Sequence, residues 1–442
     1  MIHNRHTYVL LASSSVAVVV FEVLRWRARL RAQIAADRAK RLVEDGPLIN
    51  TSDLDVQKRI LSKGTRRAEK WMSYLNPEDA TPMKGQVGGI SFGKRQVLTL
   101  KPDYVLKPIR ADSRGVREVA FYEALGLATK SGHARGSSNF IAWGAEQKGE
   151  NRNLDTKYAM IENTDAIAMW MAIFVQDEIV AKLEKSVMTS RRSLRKEMEI
   201  LHRLSNYTPS YYGIVGQRYI ENHEDGQLEN FLSSSYLLLS DATVNFVKPC
   251  VMDLKMGQQT FEPDAPMDKR EREQSKYPQQ ELFGMRLVGM RIYDPAHPEA
   301  DNAGFRTFDK HYGRSLKTRE DVLSAFGTFF QGSDRSSEQQ QQNETDTTRQ
   351  LRVRAMSQLR TQLHIISRWF EENKAFAFYS SSLLIVFEGD NNAASRDVVN
   401  LKMIDFGHVR RQAKGDPGYL YGLRFVMGVF KELQESTTNK QI

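Results

Sequence analysis

Hydrophobic and polar positions follow different rhythms along this chain, and each rhythm predicts an element. Residues 85–109, GQVGGISFGKRQVLTLKPDYVLKPI, alternate short β-rich runs with glycines, as antiparallel hairpins do. In RGVREVAFYEAL, Val116, Val119, Ala120 and Leu125 fall near one helical face, so strands are followed by a helix. Between residues 249 and 256, Val251, Asp253 and Lys255 alternate with Met252, Leu254 and Met256, so a strand would project Asp253 and Lys255 from one side. Met356, Leu359, Leu363, Ile366 and Phe370 recur at spacings of three and four, which predicts a long helix with one face on a core. A further amphipathic helix is expected near IAMWMAIFVQDEIVAKLEKSV, residues 167–187.

Elsewhere the pattern fails in informative ways. Residues 331–350, QGSDRSSEQQQQNETDTTRQ, contain no aliphatic or aromatic side chain, cannot offset ordering entropy by burial, and are expected to form a disordered loop. Residues 30–80 are charged and weakly patterned, with EDGP and LNPEDATP as turn signals; they read as a linker with some helix, the folded part beginning near Met83. Residues 128–190 open with a loop-like TKSGHARGSSN and read as an insertion. Near the amino terminus, residues 8–24 are apolar apart from Glu22 and a serine run, and RWRARLRAQ follows. As a helix these residues would span about 26 Å, slightly short of a hydrocarbon core of roughly 30 Å. They are a candidate membrane anchor with the remainder in the cytosol, by the positive-inside rule, or alternatively a mitochondrial presequence or a free tail.

Composition narrows the chemistry. The chain has 442 residues, 40% hydrophobic, enough for one large or two to three modest cores. A net charge of +9 favours anionic partners without choosing among nucleic acid, membrane and phosphorylated small molecules. Cys250 stands alone, which excludes an intramolecular disulfide and any zinc site built on several thiolates, so a metal would be held by oxygen.

Two motifs carry chemistry. In KPCVMDLKMG, residues 248–257, a carboxylate can orient a hydroxyl or accept its proton, while an ammonium two residues on can neutralise a phosphoryl group in flight. Taken alone the pair is more commonly a surface ion pair. MIDFGHV, residues 403–409, contains the Asp-Phe-Gly that in protein kinases holds magnesium. A protein kinase also needs a His-Arg-Asp loop before it and an Ala-Pro-Glu segment after it. This sequence has neither, and only residues 408–442 follow Gly407.

Pro249, Asp253, Lys255 and Gly257 match the Pro-x-x-x-Asp-x-Lys-x-Gly signature of the inositol polyphosphate kinase family. VLKP, REVAFYEAL, YTPSYYG, SKYP, GMRIYDP, HYGRSL, SSLLIVFEG, MIDFGHV and GYLYGL follow in family order, so residues 83–432 outside the two insertions resemble that family. Within it GQQTFEP, SKYP and HYGRSL look most like the multikinase branch, with the hexakisphosphate kinases second.

The resemblance implies an α+β, two-lobed kinase-like fold: a small antiparallel-sheet lobe over 83–247 and a larger α/β lobe over 248–442 with a helical substrate-binding insertion near 262–285. It implies ATP and magnesium as cofactors. Asp253, Lys255 and Asp405 would be catalytic, with Asp405 holding the metal. Lys107, Glu118, Asp241, Asp253, Ser381 and Ser382 would serve ATP. Lys255, Lys269, Arg272, Lys276, Arg291, Lys310, Arg314 and His408 would meet the substrate, and Lys269, Arg272 and Lys276 share a helical face by spacing. Glu271 and Glu273 stand where some multikinases have glutamines. The expected function is ATP-dependent phosphorylation of inositol trisphosphates and tetrakisphosphates. The alternatives are a hexakisphosphate kinase making pyrophosphates and, from another class, a noncatalytic inositol phosphate sensor or scaffold. A monomer without a nucleic acid partner is expected, in the cytoplasm or nucleus unless residues 8–24 anchor it.

Overall fold

The computed structural model describes residues 54–72, 79–87, 95–100, 103–133, 199–216, 227–331, 346–390, 398–412 and 414–439, all within the unit Gly46–Ile442. The apolar stretch 8–24, the inserted segment after residue 133 with its expected helix, and positions 332–345 lie outside the described residues. Among the described residues no helix is long and apolar enough to cross a membrane.

The fold is α+β, as expected, with two five-stranded antiparallel sheets in sequence. The first contains β1 (Thr81–Pro82), β2 (Leu98–Leu100), β3 (Tyr104–Pro108), β4 (Tyr211–Val215) and β5 (Tyr236–Ser240), in the order β1-β2-β3-β5-β4. The second contains β6 (Pro249–Met256), β7 (Met285–Tyr293), β8 (Phe305–Phe308), β10 (Ser382–Glu388) and β11 (Val399–Ile404), in the order β11-β10-β6-β7-β8. A two-stranded ribbon pairs β9 (Phe376–Phe378) with β12 (Val409–Arg411). The ladders of the second sheet are antiparallel throughout.

Helices cover these sheets. α1 is Leu54–Met72, α2 Ser113–His133 and α3 Gln227–Ser234; α4 (Met267–Lys276) and α5 (Gln279–Phe283) follow β6; α6 is Lys310–Ser315, α7 Arg319–Gln331, α8 Asp346–Glu372 and α9 Pro417–Asn439. The expected long helix is α8, and Met356, Leu359, Leu363, Ile366 and Phe370 are all buried. It starts at Asp346, so residues 346–350 belong to this helix rather than to the polar loop expected there. On α2, Val116, Val119, Ala120 and Leu125 are buried as expected, together with Phe121, Tyr122 and Ala124, so the helix is enclosed on several sides.

Ordered packing begins earlier than Met83. Ile60, Leu61 and Ala68 of α1 are buried, and Arg67 reaches the buried Glu123 of α2 at 2.6 Å. Gly213 in β4 permits the approach: it has φ of 131°, and a β-carbon there would lie 2.4 Å from the backbone nitrogen of Ala68. With charged residues on its other face, α1 gains stability from this packing, a contribution that weak periodicity does not reveal.

The second sheet positions the chemistry by having two unlike faces. Met252, Leu254 and Met256 point into the main core, which also contains Phe326, Phe370, Tyr419 and Phe430 from α7, α8 and α9. Each such side chain contributes roughly 2 kcal/mol on leaving water, which fixes the register of β6. Asp253 and Lys255 are thereby held on the opposite face.

Candidate active site

Cross-strand pairing defines what surrounds the two residues. On β7, Lys255 is opposite Arg286, Asp253 opposite Gly289 and Val251 opposite Arg291; on β10, Lys255 is opposite Ser382 and Asp253 opposite Leu384. Arg286 and Arg291 are five residues apart, which in a regular strand puts them on opposite faces. The register shift between Asp253 and Leu254 leaves Val288 out of the ladder and restores both arginines to the Asp253 face.

The acids meet above this face. Asp405 follows β11 with φ of 67°, a left-handed conformation uncommon for a non-glycine residue, and the next side chain, Phe406, is buried against Phe121, Tyr122 and Phe378. Lys107 Nζ lies 2.5 Å from both Asp405 Oδ1 and Glu118 Oε1, and Glu118 Oε1 also accepts from the Phe406 N–H at 3.2 Å. Glu118 therefore ties β3 and α2 to the Asp405 turn. Burial opposes charge on Lys107, but Asp405 and Glu118 outweigh it and raise its pKa above the ordinary lysine value. Burial opposes ionisation of Asp405 as well, and Lys107 and Lys255 nonetheless hold it below the usual carboxylate range. The Asp405 side chain keeps 35% exposure, so it remains open to a ligand.

Asp253 is in the opposite situation. Burial, with Asp405 nearby, pushes its pKa up to about 7, and its Oδ1 is buried without a hydrogen bond. The Ser382 hydroxyl faces it and favours the ionised form, at a geometry short of a formed hydrogen bond. Lys255 Nζ donates to Ser380 O at 2.9 Å and to Ser380 Oγ at 3.2 Å, and burial lowers its pKa despite Asp405 and Asp253.

The serines expected at ATP sit behind the acids. Ser381 and Ser382 are buried, and Ser381 Oγ donates to the Asp405 carbonyl at 2.9 Å. Ser381 thus holds the Asp405 backbone while Ser382 only faces Asp253, because β10 lies between β6 and β11. Ser380, not singled out in the sequence, holds Lys255.

Past Val251 the same face becomes apolar. Val87, Phe246, Val251 and Val386 are buried there, with Ala242 and Leu384 packed against them. Asp241 follows β5 and its Oδ1 accepts from the Thr243 N–H at 2.8 Å and the Thr243 hydroxyl at 2.7 Å, forming the turn that starts the connection between sheets. The fully buried Glu388 accepts from the N–H groups of Val247 and Lys248 at 2.8 and 2.9 Å and fixes the end of that connection. A flat aromatic base fits such a surface, with its polar edge toward the backbone of 241–248.

At the Lys255 end the neighbours are charged. Four basic side chains converge on the buried carboxylate of Glu262: Arg117 Nη1 at 2.8 Å, Lys269 Nζ at 3.1 Å, His408 Nδ1 at 3.1 Å and Arg410 Nε at 3.4 Å. Burial works against its charge, and His408, Arg410 and Arg117 hold it well below the usual carboxylate range. Glu262 thus joins α2, α4 and the Asp405 turn, and Gly407 abuts the Arg114 backbone at the start of α2.

Not every expected substrate residue joins this group. Lys276 pairs with Glu273 at 2.5 Å, while Arg272 is exposed on α4. Arg314 comes near Arg286, its like charge helping to lower the Arg286 pKa after burial, the larger cause. Lys310, on the same short helix, is exposed. Arg291 lies at the Val251 end, stacked 3.5 Å over the Phe305 ring and 3.5 Å from Asp301, away from Lys255. The residue expected from the sequence is Arg291, in the second Gly-Met-Arg at 289–291, and Arg286, in the first at 284–286, was not considered; the strand register puts Arg286 opposite Lys255. Only the count of residues through the bulge could have revealed this.

Among the described residues no group of three or more His, Cys, Asp or Glu could hold a metal by itself. Asp405 with Asp253 nearby suits a hard cation that takes its remaining oxygens from phosphates and water.

Residues 236–431, which include Asp253, Lys255 and Asp405, match the family model described as inositol polyphosphate kinase. The chain is 34% identical over 192 residues to inositol polyphosphate multikinase of Homo sapiens, an alignment covering 43% of this chain and 38% of that protein. It is 28% identical over 223 residues to inositol hexakisphosphate kinase 3 of Mus musculus, covering 45% of this chain and 51% of that protein. The chain thus matches well under two thirds of the length of these relatives. A solved inositol phosphate multikinase from S. cerevisiae, in complex with ADP and Mn2+, is similar with a TM-score of 0.41 and 21% identity, over 52% of this chain and 89% of that one. The family resemblance read in the motifs is borne out by the family model and the curated relatives.

Proposed function

We propose that this protein is an ATP- and magnesium-dependent inositol polyphosphate kinase that phosphorylates hydroxyls of trisphosphate and tetrakisphosphate rings. The observation that carries the reading is the grouping of Lys107, Asp253, Lys255 and Asp405 about one sheet face, with a buried, unpartnered carboxylate oxygen at Asp253.

The apolar surface around Val251, Val386 and Phe246 takes the adenine, and Asp241 and the backbone after it take its polar edge and ribose. Lys107, held by Glu118, directs its ammonium toward the nucleotide phosphates. Asp405 would hold magnesium, which would supply charge neutralisation at the phosphate oxygens. Asp253 orients the acceptor hydroxyl and can take its proton, its raised pKa suiting that exchange near neutral pH. Lys255, fixed by Ser380, meets the phosphoryl group as it transfers, and no covalent enzyme intermediate is needed. Lys269, Lys276, Arg286 and Arg314 supply positive charge for ring phosphates, and His408 lies beside them at the Asp405 turn.

A hexakisphosphate kinase is the second enzyme reading, and the acids on α4 disfavour it. The test incubates the purified chain with ATP, magnesium and equal concentrations of rings carrying three to six phosphates, and separates the products by chromatography. Trisphosphate and tetrakisphosphate should be consumed first. Pyrophosphorylated product from hexakisphosphate with little turnover of trisphosphate would promote the second reading. Tight binding without turnover of any ring would favour a sensor.

A further inference from the structure

α4 borders the site, and one of its acids faces inward. Positions 269, 273 and 276 are spaced by four and three and share a helical face, whereas Glu271 is exposed and points elsewhere. Glu273 Oε1 accepts from Lys276 Nζ at 2.5 Å, and its side chain is only 19% exposed. Burial opposes its charge, yet Lys276, Arg286 and Lys255 outweigh this and lower its pKa. Glu273 also lines a cavity of about 510 Å³ together with Gln258, Gln274, Gln280 and Glu281, and neither lysine nor arginine lines it. Lys276, paired with Glu273, suits a phosphate, and the carboxamides and carboxylates that line the cavity suit hydroxyls.

We propose that Glu273 sets an upper limit on the charge of the substrate, admitting rings that turn a free hydroxyl toward it and disfavouring rings phosphorylated at every position. This rests on the kinase reading and adds to it a residue that selects among rings. A carboxylate facing a hydroxyl can accept a hydrogen bond; facing a phosphate it meets like charge in a partly desolvated site.

Calorimetry without nucleotide would measure binding of the trisphosphate and the hexakisphosphate to the full chain and to Glu273→Gln and Glu271→Gln, followed by kcat/KM for each ring. Glu273→Gln should raise the hexakisphosphate affinity relative to the trisphosphate by about tenfold, less at high salt. Glu271→Gln makes the same change in net charge on another face and should leave the ratio within about twofold. Glu273→Ala should move the ratio in the same direction as Glu273→Gln, and melting curves would confirm that each variant is folded. An unchanged ratio in Glu273→Gln, or an equal rise in Glu271→Gln, would overturn the proposal while leaving the kinase reading intact if the wild type still phosphorylates the trisphosphate. Failure of the wild type to bind either ring would sink both.

Discussion

Asp253 and Glu262 are both buried carboxylates on the segment that runs from β6 toward α4, and their surroundings differ in kind. Glu262 has more positive partners than it can use, and its pKa is held low. Asp253 has too few, with one oxygen unpartnered and its pKa pushed up to about 7. A saturated carboxylate fixes the elements around it. An unsaturated one retains capacity for a ligand, which is why the proposed chemistry is assigned to Asp253 and not to the better-connected Glu262.

The strongest way to break this contrast is to neutralise each acid. Asp253→Asn should lower kcat by roughly a thousandfold while the melting temperature stays the same or rises at neutral pH, because no strong partner is orphaned. Asp405→Asn should lower turnover comparably with the fold retained, since the anionic metal ligand is lost. In Glu262→Gln the largest effect should be on stability, a loss of about 3 kcal/mol in denaturant titration, because the buried Arg117 loses the carboxylate it pairs with, whereas Arg410 retains Asp264. Glu262→Asp should recover part of it.

The two acids should also give opposite pH signatures in the ligand-free protein. Asp253 has a folded pKa of about 7, above the ordinary 3.8, so its contribution to stability is complete below the lower value and lost as pH rises through the upper one. Glu262 has a folded value below the ordinary 4.5, so its contribution is present above that and lost as pH falls. Melting temperatures followed across pH should therefore flatten on the neutral side in Asp253→Asn and on the acid side in Glu262→Gln. A neutral-side slope unchanged in Asp253→Asn would show that another group titrates there.

The smallest expected difference lies within α6. Arg314→Ala should raise KM for the ring by about tenfold, as it sits by Arg286, and the exposed Lys310→Ala should change it by less than about twofold. Equal effects would mean that α6 meets the substrate along its whole length.

Much of this arrangement was legible in the chain. The alternation in KPCVMDLKMG put Asp253 and Lys255 on one face because a strand has a period of two, and the three-and-four spacing from Met356 to Phe370 gave the long helix. Lys107 and Glu118 were readable as a strand lysine and helix glutamate, and Asp405 as the acid at a strand end. These are local patterns, and local geometry sufficed.

Other features depend on residues far apart in sequence. α1 was read as part of a linker because its burial depends on contact with β4, some 140 residues on, and on close approach at Gly213. Arg286 rather than Arg291 stands opposite Lys255 because one bulge at Val288 shifts the register. Ser381 and Ser382 are buried behind the acids, Ser381 holding the Asp405 backbone, because β10 lies between β6 and β11. Glu262 gathers partners from 117 to 410, which no spacing along the chain could indicate. The sequence by itself determined which side chains could do chemistry, since periodicity and residue type are local; the tertiary structure decided which of them are satisfied and which remain open, since burial and charge balance depend on every element packed around the site.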